Sequence, residues 1–168
     1  EACSIVLRFN PPTTTSYTGE LNITYGDSAE LVGARLDLKG QGTNPALLTV
    51  SETDPYDYGQ QPLNTSGEHV FTISNVPDGA IAKRITEVAL NPPYELKGGE
   101  WPGLGGTCTD KLLPGNTCSF VVTFTPTVVG PNLGEINVQY DNGITQVSAD
   151  RDLTGVGVIP ANLVIDMA

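Results

Sequence analysis

The sequence predicts an all-β protein, and three observations lead to that prediction. Apolar and polar residues alternate with a period of two, which is the period of a half-buried strand. Glycine and proline supply 19 and 13 of the 168 residues, enough to divide the chain into short elements joined by turns. An ungapped internal similarity at an offset of 115 residues shows the same pattern twice, with about a third of 53 aligned positions identical.

The alternation is clearest in residues 118–126, where apolar side chains occupy every second position. The equivalent segment, residues 3–11, keeps the pattern also at the positions where the residue differs, so both are predicted to be strands. The apolar positions are Cys118, Phe120, Val122 and Phe124 in one copy and Cys3, Ile5, Leu7 and Phe9 in the other.

The remaining strands follow from the same test. Asn142-Gly143 predicts a two-residue type I′ hairpin turn. Residues 81–90 have a helical spacing of apolar positions, but the segment is short and lies among strands, so a strand is predicted there. The other predicted strands are 20–25, 47–51, 68–76, 135–140 and 147–154.

About seven short strands in each 115 residues predict immunoglobulin-like β-sandwich repeats in tandem. The offset then sets the domain boundaries. Residues 1–43 are predicted to be the C-terminal half of a preceding repeat, 44–158 a complete repeat, and 159–168 the first strand of a following repeat.

A half repeat leaves an apolar face without an opposing sheet, which should not stay in water. Adjacent repeats of the same chain are the first expected partners. Self-association is the alternative, with residues 1–43 of one copy meeting strand 159–168 of another. The face is formed by Ile5, Leu7, Phe9, Leu21 and Ile23.

The charge balance limits the classes of partner. With 8 Lys and Arg against 19 Asp and Glu, the net charge of −11 argues against nucleic acid, which is bound mainly through basic residues. No stretch approaches the roughly 18 apolar residues of a membrane span, so no membrane insertion is expected. Residue 1 enters a strand-like pattern directly, as expected of a processed or excised chain.

Several motifs occur in an order that resembles a known family. They are Gly105-Gly-Thr-Cys108, the run from Leu113-Pro-Gly-Asn-Thr-Cys118 to Pro126, Gly134, and Asp152-Leu-Thr-Gly-Val-Gly157. Together they resemble the Hydin-type ASH repeat, called choice-of-anchor D in bacterial surface proteins. The resemblance implies an immunoglobulin-like sandwich in a large exported protein, with an extracellular, cell-surface or periplasmic location and no chemistry of its own.

Three cysteines leave one over if a disulfide forms. Cys3 is equivalent to Cys118, and the equivalent of Cys108 would fall before residue 1, so a Cys108–Cys118 disulfide is predicted. Leu-Pro-Gly-Asn between these two residues is turn chemistry that brings their Cα atoms together. The alternative is three buried thiols in a cytosolic protein.

The sequence offers little for catalysis, metals or cofactors, and none is predicted. His69 is the only histidine and shares a strand face with Phe71 and Ile73, which favours a residue that caps the core. No Gly-x-Ser-x-Gly motif accompanies it. Calcium would need oxygen ligands in a regular loop, and the acidic residues available are better explained as a solvated surface: Glu52, Asp54, Asp57 and Asp78.

Aromatic residues in Pro- and Gly-rich loops are the candidates for binding, because such rings stack on sugars or anchor proteins. Packing within the loops is the alternative explanation. The sequence therefore predicts a non-enzymatic stalk or adhesion module, with a glycan- or protein-receptor-binding domain using loops 54–62 and 92–106 as the alternative. The candidate residues are Tyr56, Tyr58, Tyr94 and Trp101.

Overall fold

The computed structural model describes residues 2–26, 31–87 and 90–162. Contacts between Cα atoms divide the chain into two compact units, Glu1–Asn44 and Pro45–Ala168. The first unit contains β1 (Ser16–Gly26) and β2 (Leu31–Gln41), which form a two-stranded antiparallel sheet. The predicted division into three parts of a repeat array stays a prediction.

The second unit is an all-β, immunoglobulin-like sandwich of two sheets. One sheet has the order β4-β11-β10-β6-β8 and the other β3-β5-β9-β7, and β4 runs parallel to β11. The strands are β3 (Leu48–Val50), β4 (Tyr56–Pro62), β5 (Gly67–Asn75), β6 (Ala82–Glu87), β7 (Tyr94–Leu96), β8 (Lys111–Leu112), β9 (Thr117–Phe124), β10 (Gly130–Asp141) and β11 (Gln146–Val158).

The sandwich core comes from the alternating positions that the sequence pattern marks. Alternate residues of β5 and β10 are buried, and the end of β9 is buried on both faces. The fully buried side chains include Phe71, Ile73, Phe120, Val122, Phe124, Ile136 and Val138.

The hairpins of the two units match residue for residue at the predicted offset. Each pair of β1 and β2, from Ser16 with Gln41 to Gly26 with Leu31, recurs in β10 and β11 when 115 is added. A packing contact recurs too. A Cβ on Gly40 would lie 2.6 Å from the Phe9 ring, and a Cβ on Gly155 would lie 2.6 Å from the Phe124 ring.

Two predictions of local structure are wrong. Residues 3–11 are not a strand: their equivalent, β9, is paired with β5 and β7 on its two sides, and the described part of Glu1–Asn44 supplies no such neighbours. The turn at Asn142 is a four-residue loop, because β10 ends at Asp141 and β11 begins at Gln146. The Asn142 side chain accepts hydrogen bonds from the N–H groups of Ile144 and Thr145, which favours the longer loop.

The other predicted strands are confirmed within a few residues, and residues 82–87 form a strand as predicted. Residues 88–89 and 163–168 lie outside the described residues, so the predicted first strand of a following repeat is not described beyond residue 162, and residues 159–162 are not in a strand.

Candidate functional site

The predicted Cys108–Cys118 disulfide is confirmed. The Cα atoms lie 4.8 Å apart, and the sequence separation of the two cysteines is 10. Cys118 belongs to β9 in the four-stranded sheet, whereas Cys108 precedes β8 in the five-stranded sheet. The Cys108 N–H also donates to the Ser119 carbonyl of β9 at 3.0 Å, so the bond joins β9 to the segment beside it that leads into β8. Because disulfides persist in oxidising environments, it indicates a compartment other than the cytoplasm.

The structure places the four aromatic candidates along one continuous series of rings. Neighbouring ring centroids are 4.9 to 5.7 Å apart, within the range of favourable aromatic pairs. Two core phenylalanines lie between Trp101 and the tyrosines, and a third ends the series. The series runs Trp101, Phe120, Phe71, Tyr56, Tyr58, Tyr94 and Phe124.

Tyr94 is the most deeply buried of the four. Its ring is fully buried and stacks on Phe124 with a centroid distance of 4.9 Å, and its hydroxyl donates to the Asn132 carbonyl at 3.0 Å. Burial raises the pKa of Tyr94 to about 12, since the charged phenolate would lose its hydration. The lack of a side chain at Gly134 makes room for the ring, because a Cβ there would lie 2.5 Å from it.

The other three rings are partly buried and pack against the core. The Tyr58 hydroxyl donates to the Val122 carbonyl at 3.1 Å, and burial raises the pKa of Tyr58. Trp101 stacks on Phe120, and its Nε1–H is buried without a hydrogen-bond partner in the described residues. The hydroxyls of Tyr58 and Tyr94 are thus both committed to backbone carbonyls.

His69 lies beside Tyr56, as its position on the core face predicts. The two rings stack with centroids 4.0 Å apart, and a 2.8 Å hydrogen bond joins the Tyr56 hydroxyl to Nδ1. Glu52 Oε1 is 3.4 Å from Nε2. In the part of the chain that the structure describes, the hydrogen-bond partner of His69 is a phenol rather than a Ser, Thr or Cys nucleophile. This arrangement orients a ring and does not activate a nucleophile.

Sequence analysis missed the role of Arg151. This side chain is 15% exposed, and its Nη2 donates to the Val50 carbonyl at 2.8 Å, while Nη1 lies 3.6 Å from Asp54. The same carboxylate accepts the Asp152 N–H at 3.0 Å. Arg151 therefore links β11 to the end of β3 and to the segment between β3 and β4. No local signal in the sequence marks it, because its partners are about a hundred residues away.

Metal ligands do not gather in the described residues. Across residues 2–26, 31–87 and 90–162, no group of three or more His, Cys, Asp or Glu side chains is placed to hold a metal ion. In the same ranges, no helix is long and apolar enough to cross a membrane.

A second candidate lies in the unit Glu1–Asn44. An open groove of about 260 Å³ is bordered by residues 7–9 on one side and by β1 and β2 on the other. The predicted apolar face is exposed here, with Leu7 52% and Phe9 53% exposed. The sequence pattern predicts the face but not the groove, which depends on how residues 7–9 lie against Gly19 and Gly40.

Neither a protein-family model nor a curated protein sequence matches the chain. Among solved structures, it is similar to the VesB protease of Vibrio cholerae, with 14% identity and a TM-score of 0.51 over 67% of this chain and 32% of the protease. This similarity shows the fold alone, and the chain spans about a third of the length of that protease. The ASH / PapD-like domain 7 of human CEP192 has 12% identity and a TM-score of 0.47 over 71% of this chain and 89% of that domain.

Proposed function

We propose that this chain is a non-enzymatic, immunoglobulin-like module of an exported or cell-surface protein, acting as a structural stalk or adhesion module. The observation that carries the proposal is the use of the candidate binding residues within the core. The hydroxyls of Tyr58 and Tyr94 donate hydrogen bonds to backbone carbonyls, and the rings of all four candidates pack in one series. This arrangement stabilises a sandwich rather than lining an open site.

Two further features support an exported location. The disulfide would be reduced in most cytosols, and the net charge of −11 keeps an extended array of such modules soluble. Catalysis has little support, since His69 is engaged by Tyr56 and Glu52 and not by a nucleophile.

A receptor-binding domain is the second candidate function, and one observation favours it. Leu104, in loop 92–106, is 72% exposed, and it follows the partly exposed Trp101 by three residues. An exposed apolar side chain and a partly exposed aromatic ring in one loop are suited to a sugar or a protein partner.

A binding screen with matched leucine variants tests these functions. The purified chain, kept without reductant, is tested against a glycan array and against bacterial and host envelope fractions. Leu104→Ser removes the loop side chain, and Leu36→Ser is the control, because Leu36 is 57% exposed on β2 of the unit Glu1–Asn44. A stalk gives no saturable binding, whereas adhesion through the loop gives binding that Leu104→Ser abolishes and Leu36→Ser preserves.

Hydrolysis is tested separately with His69→Ala. We expect no turnover of polysaccharide or peptide substrates by the parent chain. Turnover that His69→Ala abolishes while the thermal unfolding midpoint of the variant remains that of the parent would overturn the non-enzymatic assignment.

A further inference from the structure

The groove in the unit Glu1–Asn44 has a counterpart in the sandwich. When 115 is added, its lining residues Phe9, Gly19 and Gly40 become Phe124, Gly134 and Gly155. The hairpins that carry these glycines have the same register, and each phenylalanine lies on its own glycine in the same way. The two places are therefore built alike, and what fills one indicates what fits the other.

In the sandwich, the place is filled by Tyr94. Its ring stacks on Phe124 and lies so close to Gly134 that a Cβ on this glycine would be 2.5 Å from the ring. In the first unit, the nearest atom to a Cβ on Gly19 is the Leu38 Cβ at 4.0 Å. Gly19 is thus a glycine with no ring against it. Tyr17 touches Phe9 only edge-on, at 5.7 Å, and the groove stays open.

The charges that line the groove indicate the charge of the segment that fills it. Arg8 and Lys39 line the groove, in a chain whose net charge is −11. Their equivalents in the sandwich are Thr123 and Thr154, and these pair with Glu95 of β7 and Asp57 of β4. An occupant in the same register therefore places carboxylates opposite two basic side chains.

We propose that the groove receives a front-half segment of this same repeat type, equivalent to residues 44–115. An aromatic residue of that segment stacks on Phe9 over Gly19, and the acidic residue after it faces Arg8. The strands of the added segment also supply the backbone partners that residues 3–9 lack. Residues 3–9 then join a sheet in the way that β9 does. On this proposal, the unit Glu1–Asn44 is one half of a sandwich, and the front-half segment completes that sandwich when it binds.

A fusion tests the proposal on the full chain. A second copy of residues 44–115 is joined directly in front of residue 1, which the offset of 115 makes an uninterrupted repeat. Amide hydrogen exchange of residues 3–9 is then compared with that of the unmodified chain. We expect exchange to slow by a factor of at least about ten, because these amides gain strand partners.

Gly19→Leu is the decisive variant. It fills open space in the unmodified chain, so its unfolding midpoint should stay unchanged there, but it blocks the aromatic ring and should restore fast exchange in the fusion. Tyr94→Ser in the added copy alone should act in the same direction. Unchanged exchange in the fusion, or slowed exchange that survives Gly19→Leu, overturns the proposal. A concentration-dependent dimer of the unmodified chain that Gly19→Leu abolishes would also overturn it, since the groove would then bind a second copy, whose own residues 44–115 are already paired within its sandwich, and not a free front-half segment.

Discussion

Gly134 has no room for a side chain, because the buried ring of Tyr94 lies where a Cβ would stand. We predict that Gly134→Ala lowers the free energy of unfolding of the sandwich by about 1–3 kcal/mol, the range for overpacking a core. Urea unfolding followed by near-UV circular dichroism measures the change.

Gly19→Ala is the matched control for this substitution. It changes the equivalent glycine, whose Cβ would touch nothing closer than 4.0 Å, so we expect a change within about 0.5 kcal/mol. Equal losses in both variants would show that glycine at these positions serves the hairpin backbone rather than the aromatic ring.

Tyr58 and Tyr94 make the free energy of unfolding depend on pH in the alkaline range. Burial raises the pKa of Tyr58 and brings that of Tyr94 to about 12, against an ordinary value of 10.0. A raised pKa in the folded state stabilises the fold below pH 10, and this contribution is lost as the pH rises through 12. We therefore predict that the free energy of unfolding falls between pH 10 and pH 12, by at most about 1.4 kcal/mol per pH unit for each tyrosine.

Urea titrations at a series of pH values check this dependence, and Tyr94→Phe should reduce the slope. A free energy of unfolding that stays constant across this range, or a phenolate absorbance at 295 nm that rises for all six tyrosines near pH 10 in the folded chain, would contradict the prediction.

Residue roles were predicted unevenly from the sequence, for a physical reason. Strand alternation assigns Phe71 and Phe120 to the core because burial there depends on local period. Tyr94 and Trp101 lie between prolines and glycines, where no period applies, and their burial depends on strands far away in the chain. The sequence therefore leaves both binding and packing open at these positions, and the structure gives the packing contacts.

At the scale of elements, a disulfide joins β9 to the segment that precedes β8. The disulfide closes an 11-residue loop, from Cys108 to Cys118, that spans the two sheets. On the chain-entropy model such a loop stabilises by roughly 3 kcal/mol. We predict that Cys108→Ala combined with Cys118→Ala lowers the unfolding free energy by about 2–4 kcal/mol, measured by urea unfolding without reductant.

Thiol counting checks the bond itself. Unfolded, unreduced chain should take one iodoacetamide adduct, at the exposed Cys3, and reduced chain should take three. Three adducts before reduction would show that the bond does not form in the purified protein, while Cys3→Ser should lower the first count to zero.

The segment 3–11 shows why an element can be predicted and still be absent. Its apolar alternation is that of β9, and alternation states which face a strand would bury. A strand also needs backbone partners, and β9 takes them from β5 and β7. Residues 48–50 and 67–75 form strands as predicted because their partners belong to the same unit, whereas the matching partners of residues 3–11 do not occur in the described part of Glu1–Asn44.

At the scale of the whole molecule, stability is divided unequally. Each residue of the buried core cluster lies between Ala46 and Leu153, so the second unit contains a complete core. The first unit has a two-stranded sheet, and its apolar residues Ile5, Leu7 and Phe9 are at least half exposed. An isolated two-stranded sheet is marginally stable at best in water.

We therefore predict that residues 45–168 fold alone and that residues 1–44 do not. The fragment 45–168 should keep the near-UV circular dichroism of its aromatic series and a cooperative unfolding transition, because no core residue is removed. The fragment 1–44 should show the spectrum of an unfolded peptide, since its single hairpin buries too little apolar surface to offset the entropy of ordering the chain. A cooperative transition in fragment 1–44 would contradict this division, as would loss of the transition in fragment 45–168. Either result would mean that stability in this chain depends on more than the core cluster between Ala46 and Leu153.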